Sequence, residues 1–273
     1  MSEGRVRPTG PGPTVALSIR ALQYAQQFHA DNESALAGRL YRFNCLPASP
    51  RWLRRLPSPI ALRERLDLAR AATTTETHAV WRRSGLSPEH GGWILWQRNE
   101  RHFADRRDFR FKLYLSPTPE ELLAQFSSII HALGETDALA VKLGDTAYGL
   151  LRPDKLVAYF RNRGSLQSAA RQLSPSFAGM SAHGVPFTAS LSENGMLSWG
   201  VDPLTNGEDG LQQRESWRGW VTRRLAQALV QARRDTESGV TPWQYALDQL
   251  SLAGIDTTTF APTSPGWVGD EAV

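Results

Sequence analysis

The sequence predicts an α+β fold: an antiparallel or mixed sheet covered by helices, with a helical layer at the N-terminal end. Two observations carry this. Apolar residues recur at helical spacing through roughly the first hundred positions, and from Phe109 the pattern turns into alternation interrupted by a capped, proline-led helix.

Residues 1–13 are rich in proline and glycine and read as a disordered tail. The segment 14–105 reads as the helical layer. Thr14 is placed as a cap, Val15, Ile19, Leu22 and Phe28 share one stripe, and Leu36, Leu40 and Phe43 continue the period. Leu62, Leu66 and Ala69 mark a further helix after Pro59, and Trp93–Trp96 (WILW) is a short apolar strand.

The segment 106–260 reads as the domain that carries the chemistry. Phe109, Phe111, Leu113 and Leu115 point one way, and Arg110, Lys112, Tyr114 and Ser116 the other, so one face is core and one is functional. Thr118, Pro119 and Glu121 form a capping box with proline at the first helical position, opening a helix through Leu122, Phe126, Ile129 and Leu133. A second strand, 138–143, sets Lys142 among the small residues Ala138 and Ala140. A third, 155–161, alternates Leu156, Ala158 and Phe160 with Lys155, Val157, Tyr159 and Arg161. A helix follows from about Ser165 to Leu173. Asn194-Gly195 between alternating runs signals a hairpin. Two helices come next, one using Trp217, Val221, Leu225, Ala228 and Leu229, the other opening at Thr241-Pro242; residues 261–273 read as a loose tail.

Composition narrows the function. The single cysteine, Cys45, excludes an internal disulfide and a cysteine-based metal cluster, and its apolar neighbours mark it as an inert packed thiol. Neither a signal peptide nor a membrane-crossing run is evident, which points to the reducing cytoplasm and no membrane partner. Arginine is spread from Arg39 to Arg110, with Arg54, Arg55, Arg82, Arg83, Arg106 and Arg107 in pairs; this is either a solvated basic surface or one that attracts anions. No nucleic-acid recognition module accompanies it, so no nucleic-acid partner is expected.

Only three of the 31 basic residues are lysines, Lys112, Lys142 and Lys155, and all fall in one short stretch. A guanidinium stays protonated, whereas an amine gives up its proton when buried or crowded by cations. If the three polar strand faces adjoin, they gather Arg110, Lys112, Tyr114, Lys142, Lys155, Tyr159 and Arg161 around one cleft, with Arg152 at its edge and no carboxylate on those faces. Such a set suits a bound dianion such as a phosphoester, and crowding would make one lysine a base. The competing reading is an exposed sheet face of long side chains reaching into water. A glycine-rich phosphate loop, a nucleophile elbow and paired histidines at metal spacing are all missing, and the six histidines (His29, His78, His90, His102, His131, His183) are dispersed.

Several segments in order, RFKLYLSP (110–117), VKLG (141–144), RPDKLVAYF (152–160), GVPFT (184–188) and SWGVDP (198–203), resemble the HopA-class type III effector family. That family includes plant-pathogen effectors and proteins encoded beside precursor peptides in clusters for class V lanthipeptides and thioamitides. It is similar, more distantly, to the phosphothreonine lyases. The resemblance implies a lyase that eliminates phosphate from a phosphorylated precursor peptide, leaving dehydroalanine or dehydrobutyrine, after a separate kinase-like protein has installed the phosphate. It implies no metal or organic cofactor. The lyases carry Lys-x-His with lysine as base and histidine as acid; the matching residues here are Lys112-Leu113-Tyr114, so Lys112 takes the role of base and Tyr114 that of acid. Lys142, Arg152, Lys155 and Arg161 become contacts to phosphate or the developing oxyanion, joined by Arg110, with Tyr159 orienting the phosphate. The alternatives are a non-catalytic module that binds a leader peptide or the kinase, and an effector acting by protein binding.

Overall fold

The computed structural model describes residues 11–28, 32–66, 80–84, 92–99, 109–203, 215–234 and 239–263, with the side chains of Arg83 and Ser84 excepted. Arg106, Arg107, Ala69, His29, His78, His90, His102 and both tails (1–10 and 264–273) lie outside the described residues.

Four helices open the chain: α1 (Pro13–Ala25), α2 (Glu33–Tyr41), α3 (Pro50–Arg55) and α4 (Pro59–Arg65). Three of them start with proline at the first turn, where the missing N–H leaves no bond unmade. Gly12, rather than Thr14, is the N-cap of α1; Thr14 is buried in its first turn. The expected N-terminal tail therefore ends before Pro13.

Strands β1 (Trp81–Ser84) and β2 (Trp93–Arg98) follow, then β3 (Phe111–Leu115), α5 (Pro119–Gly134), β4 (Ala140–Gly144), the short α6 (Ala147–Leu150), β5 (Leu156–Phe160) and α7 (Arg163–Leu173). The chain continues through β6 (Ala189–Ser190), β7 (Leu197–Val201), α8 (Trp217–Arg234), α9 (Pro242–Leu252) and the small pair β8 (Ile255–Asp256) and β9 (Ala261–Pro262). Ala261 and Pro262, expected in the loose tail, thus belong to a strand.

The main sheet has seven strands in the order β1-β2-β4-β5-β3-β7-β6, and every neighbouring pair is antiparallel. β1 and β2 come from the stretch read as a helical layer, and β2 pairs directly with β4. Hydrogen bonding therefore runs across the 105/106 boundary. No helix among the described residues is long and apolar enough to cross a membrane.

One face of the sheet is apolar. Phe111, Leu113, Leu115, Val141, Leu143, Leu156, Ala158 and Phe160 are buried there with Leu122, Phe126 and Leu133 of α5 and Leu166 and Leu173 of α7. Trp96 of β2 meets Phe126 at 6.0 Å between ring centroids. Thr118 caps α5 as the sequence indicates, its Oγ1 accepting from Glu121 N–H. The hairpin of β6 and β7 forms around a longer loop than a two-residue turn: Leu191 N–H donates to Leu197 O, and Asn194 Oδ1 accepts from Met196 N–H while Gly195 takes φ +76°.

The other face meets α8. Trp217 lies against Gly200 so closely that an added Cβ would sit 2.3 Å from its Cδ1, and its indole N–H donates to Phe187 O at 2.9 Å. Gly200→Ala should therefore destabilise the fold by about 1–3 kcal/mol through overpacking, read as a lower denaturation midpoint. An unchanged midpoint would mean that α8 is free to shift.

Candidate active site

β4, β5 and β3 lie side by side, and their polar faces form one surface. Lys112 stands opposite Tyr159, and Tyr114 opposite Val157, with Lys142 across the other edge of Val157. Gly200 lies opposite Lys112 on β7 and leaves room for α8 to approach.

Lys142 is half-buried, with its Nζ 4.0 Å from the centroid of the Trp93 ring. Its ammonium makes no hydrogen bond or ion pair among the described residues. Burial, then the charges of Lys112 and Arg152, bring its pKa down to about 8. Leu95 occupies the position directly opposite Lys142, and Trp93 lies two residues away on the same side of β2.

Lys112 is the reverse case. Its Nζ is 2.6 Å from Asp202 Oδ2. Burial opposes the charge, but Asp202 and Tyr159 outweigh it and the pKa rises. The Lys112 position to which the resemblance gives the base role thus holds an ammonium paired with a carboxylate rather than an unpaired amine. Asp202 is itself fixed: its Oδ1 accepts from Trp217 N–H at 2.7 Å, and its backbone carbonyl accepts from Arg110 Nε at 3.2 Å. Arg110 thus braces the loop that carries Asp202.

The expectation of a site without carboxylates fails at a second place. Asp154 takes both Nε and Nη2 of Arg152, at 2.8 and 2.9 Å, and lies 2.7 Å from Arg218 Nη1. The Arg218 contact is an ion pair without hydrogen-bond alignment, while its Nε and Nη2 donate to Pro186 O and Tyr41 O. Burial works against the Asp154 carboxylate, yet the two guanidiniums hold its pKa well below the usual range. Arg152 Nη2 also donates to Tyr41 Oη at 3.2 Å, and its guanidinium lies 5.0 Å from the Trp93 centroid. Arg152 Nη1 makes no hydrogen bond among the described residues, which leaves one amine of the fork open beside Lys142.

Tyr114 packs with Val157 and Val185, and burial followed by Asp202 raises its pKa well above that of a free phenol. The nearby Arg218 does not reverse this, so the Tyr114 phenol stays protonated near neutrality and is a weaker acid than a free phenol. Tyr159 is pushed up to about 12, mainly by burial, and its ring sits under Lys112 Nζ at 5.7 Å. Phe109 precedes the strand and meets Tyr159 edge-on at 5.9 Å instead of joining the core face. Arg161 is exposed at the end of β5. Burial raises the Cys45 thiol, which fits its reading as inert.

Lys155 is not a phosphate contact. It is fully buried, and its Nζ donates to Pro117 O at 2.8 Å and reaches His183 Nδ1 at 3.0 Å. His183 Nε2 is 2.6 Å from Asn44 O, so that nitrogen carries the proton and Nδ1 accepts. Asn44, at φ 67°, returns two bonds to His183 O and Gly184 O. This network ties the turn after α2 to the loop before β6.

Its titration sets a pH limit on stability. Burial and then Lys155 lower His183 from 6.5 to about 4, while burial lowers Lys155 from 10.5 to about 7. In both windows the unfolded chain binds more protons, so stability rises with pH. The melting temperature should fall as pH drops from 6.5 toward 4, and His183→Gln should flatten that limb; parallel slopes would exonerate His183.

Asp154 and Asp202 stand inside the segments RPDKLVAYF and SWGVDP that the sequence marks out, so a signal for them exists. Tyr41 and Arg218 have none: Tyr41 follows Leu40 at the end of α2, and Arg218 lies between core tryptophans on α8. Among the described residues no group of three or more His, Cys, Asp or Glu side chains is placed to hold a metal ion.

No family model matches the chain, and no curated protein matches it. Among solved structures, an effector protein from Pseudomonas syringae pv. tomato strain DC3000 is similar over 92% of this chain and 97% of its own, with 13% identity and a TM-score of 0.56, which shows the fold. A phosphothreonine lyase effector from Chromobacterium violaceum aligns over 62% of this chain and 77% of its own, at 17% identity and a TM-score of 0.34. The plasmid virulence C protein of Salmonella aligns over 87% and 99%, at 12% identity and 0.36.

Proposed function

We propose that the chain is a phosphoserine/phosphothreonine lyase that eliminates phosphate from a phosphorylated precursor peptide, leaving dehydroalanine or dehydrobutyrine. The observation that carries this is Lys142: a desolvated amine with a pKa of about 8, unpaired among the described residues, beside the open amine of Arg152 and the charge of Lys112.

Elimination needs a base for a weakly acidic Cα–H, positive charge on the leaving group, and stabilisation of the enolate-like carbonyl. Neutral Lys142 takes the Cα proton. The electron pair of the broken Cα–H bond forms the Cα=Cβ bond, the Cβ–O bond breaks, and the Cβ–O pair departs with phosphate. Arg152, held in place by Asp154, binds phosphate through its open nitrogen Nη1. Lys112, kept charged by Asp202, stabilises the carbonyl oxygen. The proton on Lys142 then passes to phosphate or water, so no group with the acidity of a histidine is required. Arg161 steers the anion from the exposed end of β5, and Tyr159 supports Lys112 with its ring. A separate kinase-like protein, in the cytoplasm, installs the phosphate, since the sequence shows no nucleotide-binding loop.

The assignment is tested by incubating the protein with a phosphorylated serine or threonine peptide and following a mass loss equal to phosphoric acid. Tyr114→Phe should retain more than about a tenth of the wild-type rate, because losing a true general acid costs about 10²–10⁴-fold. A drop of that size would restore Tyr114 as the acid. The raised pKa of Tyr114 also favours a second reading, a phosphopeptide-binding module without chemistry. Saturable binding with no mass loss would establish that reading and remove the first.

A further inference from the structure

Beside the site lies a surface that the chemistry does not use. Residues 50–66, covering α3 and α4, carry five arginines against one glutamate, a net charge equal to the +4 of the whole chain. Arg51, Arg54 and Arg65 are exposed. Interleaved with them are bare apolar side chains: of seven exposed large hydrophobics among the described residues, four are Leu46, Leu53, Ile60 and Tyr148, the last two 65% exposed. Exposed apolar side chains rimmed by charged residues are the composition of an interaction surface.

Three bonds join this surface to the site. Leu46 N–H donates to Leu151 O at 2.9 Å, directly before Arg152. Arg63 Nη2 holds Asp145 Oδ2 at 2.8 Å, fastening α4 just past β4, the strand that carries Lys142. Asp145 N–H in turn donates to Gly92 O, next to Trp93. Ile60 stands one turn before Arg63 on α4, and Tyr148 follows Asp145 by three residues, so the Arg63–Asp145 bond ties together the two segments that carry them.

We propose that the α3–α4 face is the docking surface for an acidic flank, bearing apolar side chains, of the same polypeptide whose phosphorylated residue enters the site. The proposal rests on the lyase reading. Charge complementarity selects the occupant: the phosphate is held within the site, and carboxylates flanking the phosphoresidue reach the exposed arginines of α3 and α4. Ile60, Leu53 and Tyr148 then take up apolar side chains of the flank, giving a contact that salt alone does not dissolve.

The test compares two synthetic phosphopeptides with one core sequence, one bare and one extended by a flank of Asp, Glu and Leu residues. With wild type, the flank should lower KM by about tenfold, and added salt should shrink that advantage. Ile60→Glu combined with Arg54→Glu should abolish the advantage while leaving kcat/KM for the bare peptide unchanged, which also shows that the variant folds. Equal KM values for both peptides in wild type would overturn the proposal, as would equal losses on both peptides in the variant. If neither peptide loses phosphate, the lyase reading fails by itself, and fluorescence anisotropy with the same peptides decides the surface: flank-dependent affinity supports it and flank-independent affinity sinks it. Indifference to the flank, together with co-migration of a kinase-like protein that the double variant abolishes, would assign the surface to that protein instead.

Discussion

Lys142→Met should lower phosphate elimination by about 10²–10⁴-fold, the contribution of a positioned general base. The fold should survive, because Lys142 is half-buried and its ammonium holds no hydrogen bond or ion pair among the described residues. Lys142→Arg should fail equally, since a guanidinium does not deprotonate near neutrality. The pH profile gives an independent reading. The base is the neutral amine, so wild-type kcat/KM should climb as pH rises through about 8 and then level off. A profile without an inflection in that region, or a Lys142→Arg variant with wild-type phosphate release, would take Lys142 out of the proton transfer.

Lys112→Met should cost about 10²–10³-fold, the scale for removing one preorganised donor to a developing oxyanion. The diagnostic variant is Lys112→Arg. A residue acting through charge tolerates arginine better than one acting as base, so Lys112→Arg should keep a measurable share of activity where Lys142→Arg keeps none. Removing Lys112 also removes a positive neighbour of Lys142, which should raise the residual activity's pKa above 8. If Lys112→Arg were inactive and Lys142→Arg active, the two roles would exchange, and Lys112 would be the base despite its pairing with Asp202.

The roles differ because of partners that sequence spacing does not reveal. Lys112 and Lys142 look alike along the chain: each is a lysine among apolar residues on an alternating strand. Asp202 distinguishes them, and it arrives from the end of β7, 90 residues after Lys112, held by the first N–H of α8. Arg218, the next residue on that helix, does the same for Asp154 and so for Arg152. Successive positions on one helix therefore hold the carboxylates that partner both sides of the site.

Lys155 shows the limit of alternation as a guide. It shares strand parity with Val157 and Tyr159, and so was expected beside Lys112. Parity decides the face of the sheet but not what covers that face. At Lys155 the cover is the His183 loop and the Asn44 turn, which bury the amine completely, whereas at Lys142 the half-exposed Trp93 ring leaves it open.

By itself the sequence determined the α+β class, the central strands, the proline-led helices α5 and α9, and the alternation that puts Lys112, Tyr114, Lys142 and Tyr159 on the polar sides of their strands, while the meeting of those sides came from the strand order. These follow from local physics: side-chain period, proline at a first turn, a threonine cap. Only the tertiary structure decided that β1 and β2 extend the same sheet, that Asp154 and Asp202 neutralise part of the cationic cluster, and that Lys142 rather than Lys112 holds the lowered pKa. The physical reason is that a proton's affinity depends on burial and on charges within a few ångströms, and those neighbours are brought in by segments far apart in the chain.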